Sequence, residues 1–467
     1  MSSTSGVAIV WFRQDLRLAD NPALYQALQT YDRIIPLYIH APDEAAPWEP
    51  GAASNWWLHH SLGSLQQSLK SFNVDLVIKS GNSLEVLQEI IQALDVDAVY
   101  WNRLYEPSLI ERDSNIKKQL KSADIDCRSF NANVLNEPHT ILNKSGKPFK
   151  VFTAYWKTAR NLLSQISTPL AAPQQINSLD YAGESISSLK LLPTIAWDKG
   201  FYDHWDVGEK AAQIKLDTLA EPLAMYTINR DFPAVSGTSK LSAHLHFGEV
   251  SPRQVFAVCS ALLLDPTVDS KQVEKFLSEI GWREFAYYQL YHFPQSSLHA
   301  LDSRYEHAWP ASEQNQMLLE AWQKGQTGIP LVDAGMRELW HTGWMHNRVR
   351  MITASILTKN MGINWLQGAR WFWDTLVDAD LAANTMGWQW TAGCGVDAAP
   401  YFRIFSPQRQ AERFDADAKY IRQWVPEFDP SVSDDYISPV IDLSDSRKAA
   451  LNRWDTIKQA EKVSCID

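Results

Sequence analysis

VAIVWFRQDLRLADNPAL, residues 7–24, opens with six residues rich in Val, Ile, Trp and Phe and passes at once into a polar segment containing Asn-Pro. A short β-branched and aromatic run bounded in this way reads as a strand. The pattern recurs in RIIPLYI (33–39), VDLVIK (74–79) and DAVYW (97–101), with helix-like sequence between the runs. Alternating strand and helix predicts a doubly wound parallel sheet. One intervening helix is expected to start at Ser54, a candidate cap, and to continue through WWLHHSLGSLQQSLKSF. Another is expected from Ser83 through LEVLQEIIQAL. Both carry apolar residues at three and four spacing and would cover sheet faces. No GxGxxG follows the first strand, so the usual dinucleotide phosphate turn is missing there.

Between about residues 161 and 200 the chain is rich in Ser, Pro and Gln with weak periodicity, which reads as a long connection. Beyond 206 a 3.6-residue period dominates, as in KQVEKFLSEIGWREFAYYQLY and PLVDAGMRELWHTGW, and strand patterns cease. The expected organisation is an α/β domain over 1–135, a connector over 136–205 and an all-α domain over 206–467. Apolar residues at 45% and charged residues at 21% are ordinary globular usage. No run approaches the ~20 apolar residues of a membrane span. The opening MSSTSGVAIV lacks a basic segment, so no signal peptide is expected. Cys127, Cys259, Cys394 and Cys465 are far apart, without CxxC or a paired His. That argues against a disulfide framework and a zinc site, so no metal and a cytoplasmic setting are expected. Lys and Arg number 43 against 54 Asp and Glu, a net charge of −11; contact with nucleic acid would need a local basic patch.

Several stretches carry candidate chemistry. Gly237-Thr-Ser-Lys-Leu-Ser242, ahead of AHLHFGEVSPRQVF, offers a glycine turn and hydroxyls that suit an anion or a helix cap. Glu279, Trp282 and Arg283 share a helix face, which suits a polar-plus-stacking pair or a packed helix with a surface ion pair. In GWMHNRVRM, Asn347 and Met351 share a face. In LVDADLAAN, Asp380 and Asn384 lie one turn apart, and Arg350 is a candidate counter-charge for Asp378 or Asp380, in a functional or a structural ion pair. Ten of the 20 tryptophans fall between 282 and 390. Singly such residues are core; concentrated beside Arg, acids and amides, they suit redox-active indoles near a flavin or stacking on extruded bases. Lys144, Lys147, Lys150, Lys157 and Arg160 form a basic run that reads as a solvated loop. Arg230, Arg348, Arg403 and Arg409, interleaved with aromatics, are sharper candidates for phosphate contacts.

Taken together, these segments resemble the photolyase/cryptochrome family over nearly the whole chain. WFRQDLRLADNPAL (11–24) is similar to its N-terminal signature. GTSKLSAHLHFGEVSPRQVF, GWMHNRVRM and DADLAANTMGWQWTAGCGVDAAPYFRIFSP are similar to its flavin and substrate core. The likeness is nearest to bacterial cyclobutane pyrimidine dimer photolyases, of class I or the plant-cryptochrome-related class III. It implies an antenna-binding α/β domain, a connector and a helical domain that holds FAD in a folded U-shape. Tyr226, Thr238, Ser239, Lys240, Leu241 and Ser242 would then hold the FAD phosphate and ribitol region. Asn347, Arg350, Asp378, Asp380 and Asn384 would surround its pyrophosphate edge or ring. Lys240 stands where many photolyases carry Arg. Asn384 would face flavin N5, where an amide cannot donate a proton as a carboxylic acid does; this favours the anionic reduced flavin, and plant-type cryptochromes carry Asp instead.

The same resemblance implies the substrate site. Glu279 would hydrogen-bond the carbonyl and imide edge of the dimer, Trp282 and Trp390 would clamp its apolar face, and Met351 would pack beneath it. Asn347 would also face the substrate, and Arg230 and Arg348 would hold neighbouring phosphates. Photolyases for the (6-4) photoproduct carry histidines where this chain has Asn347 and Met351, which cannot run acid–base chemistry. Trp388 and Trp365 match the inner members of the tryptophan chain that reduces the flavin, with Trp309 as the outer member. YWNRLYEP (100–107) and WEPGAASNWWLHHSL resemble folate-binding members, so methenyltetrahydrofolate is the expected antenna and Glu106 its pterin contact. The function implied is a light-dependent lyase, cytoplasmic and monomeric. It would split cyclobutane pyrimidine dimers in UV-damaged DNA with an electron from photoexcited reduced FAD. A blue-light-sensing cryptochrome and a (6-4) photolyase are the alternatives.

Overall fold

The structure, a computed structural model, describes residues 4–429 and 436–459; Cys465 lies outside them. Five strands, β1 (Thr4–Phe12), β2 (Tyr31–His40), β3 (Val77–Ser80), β4 (Ala98–Asn102) and β5 (Asp126–Phe130), form one parallel sheet in the order β3-β2-β1-β4-β5. β1 is buried on both faces, which is why VAIVWF is an unbroken apolar run rather than an alternating one. Its period-2 geometry sends Val7, Ile9 and Trp11 into one core layer with Val99 and Trp101. Ala8, Val10 and Phe12 enter the opposite layer with Trp57 and Leu62.

Two boundaries differ from expectation, and one strand is additional. The helix expected from Ser54 spans Ala52–Lys70, with Gly51 as its cap and Ser54 buried inside it. A Cβ on Gly51 would sit 2.3 Å from the Trp373 carbonyl oxygen, so this end of the helix is set by close approach to the helical domain. β3 begins at Val77 because the Val74 amide is still bonded to Leu69 O at the end of that helix. β5 (DCRSF) is a polar edge strand, and a strand exposed on one side needs no apolar run. The connector is not a free linker. β3 covers only the C-terminal half of β2, and the open half is paired by the connector through Ile34 N to Asn177 O (2.9 Å) and Leu179 N to Ile34 O (3.1 Å).

The remainder is helical. The long Ser270–His292 helix packs on Leu381–Ala392, which packs in turn on Trp365–Thr375 and Asn347–Ser355. Trp322, Trp365 and Trp388 are buried in this core. Among the described residues no helix is long and apolar enough to cross a membrane, and no group of three or more His, Cys, Asp or Glu is arranged to hold a metal ion.

The two domains meet across a buried polar junction directly after β1. Arg17 is fully buried and donates to Gly248 O (2.7 Å), Asp20 O (2.8 Å) and Ala132 O (3.2 Å). The Asp20 carboxylate accepts from Ser251 Oγ (2.5 Å) and Arg253 Nη2 (2.7 Å), and the Leu18 and Ala19 amides donate to Glu209, each at 2.8 Å. Gly248 has φ +64°, and a Cβ there would stand 2.2 Å from Gln14 O. Gly248→Ala is therefore expected to cost roughly 1–3 kcal/mol and to lower Tm by several degrees in thermal unfolding followed by circular dichroism. An unchanged Tm would show that the junction yields easily.

Candidate active site

Asp378, Asp380 and Asn384 lie where the turn 376–380 enters the helix Leu381–Ala392. Asp380 is the cap, its Oδ1 accepting from Ala383 N at 2.8 Å. Asn384, one turn on, donates Nδ2 to Ala369 O (2.9 Å), which leaves Oδ1 as an acceptor. From the neighbouring helix Arg350 grips both oxygens of Asp378 through Nη2 (3.0 and 2.9 Å) and donates Nε to Met345 O. Nη1 has no protein partner among the described residues. These side chains, with Asn347, Met351 and Trp388, line one cavity. Ala354, Phe372, Leu376 and Ala379 give it apolar walls.

Asp380 is held as a carboxylate. Burial pushes its carboxyl up, but His246, Arg283 and the Tyr287 hydroxyl outweigh that and take it down to about 2. Tyr287 OH donates to Oδ2 at 2.5 Å, and His246 Nδ1 lies 3.6 Å from the same atom. Arg283 stacks over the Tyr287 ring at 4.5 Å and donates to Asn133 O at 2.7 Å. It turns inward instead of pairing with Glu279 on the helix surface. His246 and Tyr287 were not legible from the sequence because 134 and 93 residues separate them from Asp380, and no local spacing signals such a contact.

The remaining candidates fall into groups beside the cavity. Tyr226 is buried under Arg230, whose guanidinium lies 5.4 Å over its ring and pairs with Glu279; Lys275 Nζ reaches the same carboxylate at 2.8 Å. Arg348 pairs with Asp231 at 2.5 Å. Thr238, Ser239, Lys240, Leu241 and Ser242 are not among the cavity-lining residues; Lys240 approaches it through Trp344, whose ring lies 5.1 Å from Lys240 Nζ and 5.9 Å from the Arg350 guanidinium. Trp282 stacks on Phe152 at 3.8 Å, in a cluster that includes Met386 of the Asn384 helix, and Trp390 is half-buried. Trp388 meets the rings of Phe372 (5.0 Å) and Trp322 (6.1 Å). Trp365 is buried at the start of the adjacent helix, and Trp309 donates Nε1 to Thr358 O at 2.9 Å. Lys144, Lys147, Lys150, Lys157, Arg160, Arg403 and Arg409 are exposed.

Glu106 lies in a second cavity, an interdomain cleft beyond the C-terminal ends of β1 and β4, where the sheet order reverses. Trp48, Pro50, Ser54 and Leu58 line it, so both stretches singled out for an antenna face one space. Glu106 accepts from Gln14 Nε2 (3.3 Å) and Tyr105 N (3.1 Å). Its carboxyl is pushed up by burial and by the charge of Asp380.

Behind the Arg350 helix, Glu338 accepts from Tyr420 OH (2.5 Å) and His346 N (3.3 Å), and burial raises it to about 7. A carboxyl raised on folding contributes stability that is complete below its unfolded value of about 4.3 and is lost as pH rises through about 7. Between pH 6 and 8 the Tm of the FAD-loaded protein is therefore expected to fall. In Glu338→Gln the slope should be visibly shallower; equal slopes would assign it to other groups.

A doubly wound sheet with a cleft at its switch point, docked on a helical domain with a charged cavity, defines the two-domain class of photolyases and cryptochromes. Residues 8–174 match the DNA photolyase profile and residues 276–448 the FAD binding domain of DNA photolyase. The deoxyribodipyrimidine photo-lyase of Agrobacterium fabrum is 42% identical over 92% of this chain and 89% of that protein. Cryptochrome-1 of Arabidopsis thaliana is 36% identical over 91% of this chain and 63% of its own length. A bacterial class III photolyase from Agrobacterium tumefaciens superposes with a TM-score of 0.92 and 38% identity, over 98% of this chain and 99% of that one. The chain belongs to the DNA photolyase family and carries its FAD-binding domain. The cavity suits that cofactor: apolar walls for a ring system, the free Nη1 of Arg350 as a cationic donor, and Asn384 Oδ1 as an acceptor.

Proposed function

We propose that this chain is a light-dependent DNA repair enzyme, a lyase that splits cyclobutane pyrimidine dimers flipped out of the duplex. One observation carries the reading. Asn347, Met351 and Asn384 line one cavity whose two carboxylates are committed, Asp378 to Arg350 and Asp380 to Tyr287 and Ala383. Such a wall binds and orients without supplying a mobile proton, which suits a reaction that needs an electron lent and returned and no net proton transfer. Bound there in its reduced anionic form, FAD supplies that electron on excitation by blue light.

The chain's own residues have separate tasks in this reading. Glu279 hydrogen-bonds the polar edge of the dimer, Trp282 and Trp390 clamp its apolar face, and Met351 packs below it beside Asn347. Arg230 and Arg348 hold flanking phosphates; each already sits in an ion pair that a phosphate can share. Tyr226 and the loop Thr238–Ser239–Lys240–Leu241–Ser242 hold the cofactor's phosphate side, with Lys240 and Arg350 as its cations. Trp388, Trp365 and Trp309, all buried in one core cluster, conduct electrons from the surface. Methenyltetrahydrofolate in the interdomain cleft, against Glu106, is the antenna. The assignment gives residues 1–135 to the antenna domain, 136–205 to the connector and 206–467 to a catalytic domain acting as a cytoplasmic monomer.

The test is blue-light repair of an oligonucleotide carrying one defined thymine cyclobutane dimer, with a (6-4) oligonucleotide and a dark sample alongside. Light-dependent loss of the cyclobutane dimer alone is expected. No repair of either lesion by protein with bound, photoreducible FAD would overturn the reading in favour of a signalling cryptochrome, which the Arabidopsis likeness makes the second candidate. Removing a charge-assisted hydrogen bond worth about 1.5–3 kcal/mol, Glu279→Ala should slow dimer splitting about tenfold or more while FAD stays bound. Unchanged repair would reduce Glu279 to a partner of Arg230 and Lys275.

A further inference from the structure

The two cavities share a wall, and one side chain stands in it. His246 is 6% exposed and lines the interdomain cleft together with Glu106. Its Nδ1 lies 3.6 Å from Oδ2 of Asp380, which lines the FAD cavity. That nitrogen has no hydrogen-bond partner at ordinary length, so the nearby carboxylate is its one evident compensation. The groups around this contact belong to three further segments. Tyr287 OH also holds Asp380 Oδ2, and Arg283 stacks on Tyr287. On the cleft side Gln14 Nε2 and Tyr105 N hold Glu106, and Arg13 and Arg112 line the same space. Glu106 is influenced by both Asp380 and His246, and Asp380 by His246. Charges this deeply buried are poorly screened and sense one another strongly.

We propose that His246 is a positioning residue and the electrostatic link between the two cavities: it fixes the Asp380 side chain beside the flavin, and a ligand seated against Glu106 alters the flavin's reduction equilibrium through it. The proposal rests on the reading of the two cavities as flavin and antenna sites. Reducing FAD to its anionic form adds negative charge, and the His246 ring, with Nδ1 facing Asp380 Oδ2 on one side and the cleft on the other, is the polar group that stands between that charge and a ligand at Glu106. Linkage makes the coupling reciprocal, so reduction of the flavin also changes the affinity of the cleft for its ligand.

The readout is the midpoint potential of bound FAD, measured by spectroelectrochemical titration with and without methenyltetrahydrofolate. His246→Gln is expected to shift the reduction equilibrium about tenfold toward oxidised FAD, about 30 mV for a two-electron couple. Folate should move the wild-type potential and leave that of His246→Gln where it was. Glu106→Gln, which leaves the Asp380 contact intact, should likewise lose the folate response while keeping FAD, and it serves if His246→Gln does not fold. A wild-type protein that binds folate with no change in potential overturns the link alone, as does a His246→Gln protein that keeps the wild-type response. A wild-type protein that takes up no folate overturns the antenna reading and the link together.

Discussion

Arg17 is a cation with essentially no access to water, and the architecture depends on where its protons go. Taking a guanidinium out of water is costly unless every donor finds an acceptor. Arg17 finds them in Asp20 O within its own loop, Ala132 O at the end of the α/β domain and Gly248 O in the helical domain. A charge satisfied by three segments at once cannot keep its partners if the domains separate. Asp20 reinforces the arrangement by taking Ser251 and Arg253 from the far side, and Gly248 permits it because no Cβ fits between its backbone and Gln14.

The position of the junction, immediately after β1, governs what lies around it. It brings the helix Ser242–His246 and the first turn of Leu381–Ala392 against the C-terminal ends of β1 and β4, the place where an open parallel sheet leaves a crevice. One side of that partition becomes the interdomain cleft with Glu106, the other the cavity with Asp380 and Asn384. In most of that second cavity the charges are neutralised locally: Arg350 against Asp378, Asp380 against its cap amide, a tyrosine and a histidine. What remains for a ligand is an amide oxygen, a cationic edge and aromatic or aliphatic walls, a surface suited to holding a flavin and moving electrons more than protons.

Much of this was legible along the chain, for reasons tied to particular residues. The strands at 7–12, 33–39 and 97–101 announced themselves because both faces of a parallel sheet are buried, so 7–12, 34–39 and 98–101 are apolar without interruption. Asp380 and Asn384 could be paired because one turn of helix separates them, and Arg350 could be named as a counter-charge because LVDADLAAN offers few alternatives. β5 was missed because an edge strand has a polar sequence. The cap at Gly51 was missed because its reason, the Trp373 carbonyl oxygen, lies 322 residues away. Arg283 shows the same limit: spacing put it on the Glu279 face, while the packed helix turned it toward Tyr287 and Asn133.

The order of apolar and polar residues thus pointed to an α/β domain, a connector and a helical domain, the local spacing of amides, acids and tryptophans marked a set of candidate groups, and the likeness of whole motifs to a known family tied those groups together. These are short-range properties, written in periods of two and 3.6 residues. Only folding brought Glu106, His246, Tyr287 and Asp380 to one partition, paired Arg230 with Glu279 and split the interior into two cavities. Burial lowers the screening between charges, so the electrostatics of a site follow from distances in space, and distances between residues 106, 246, 287 and 380 exist only once the two domains have docked.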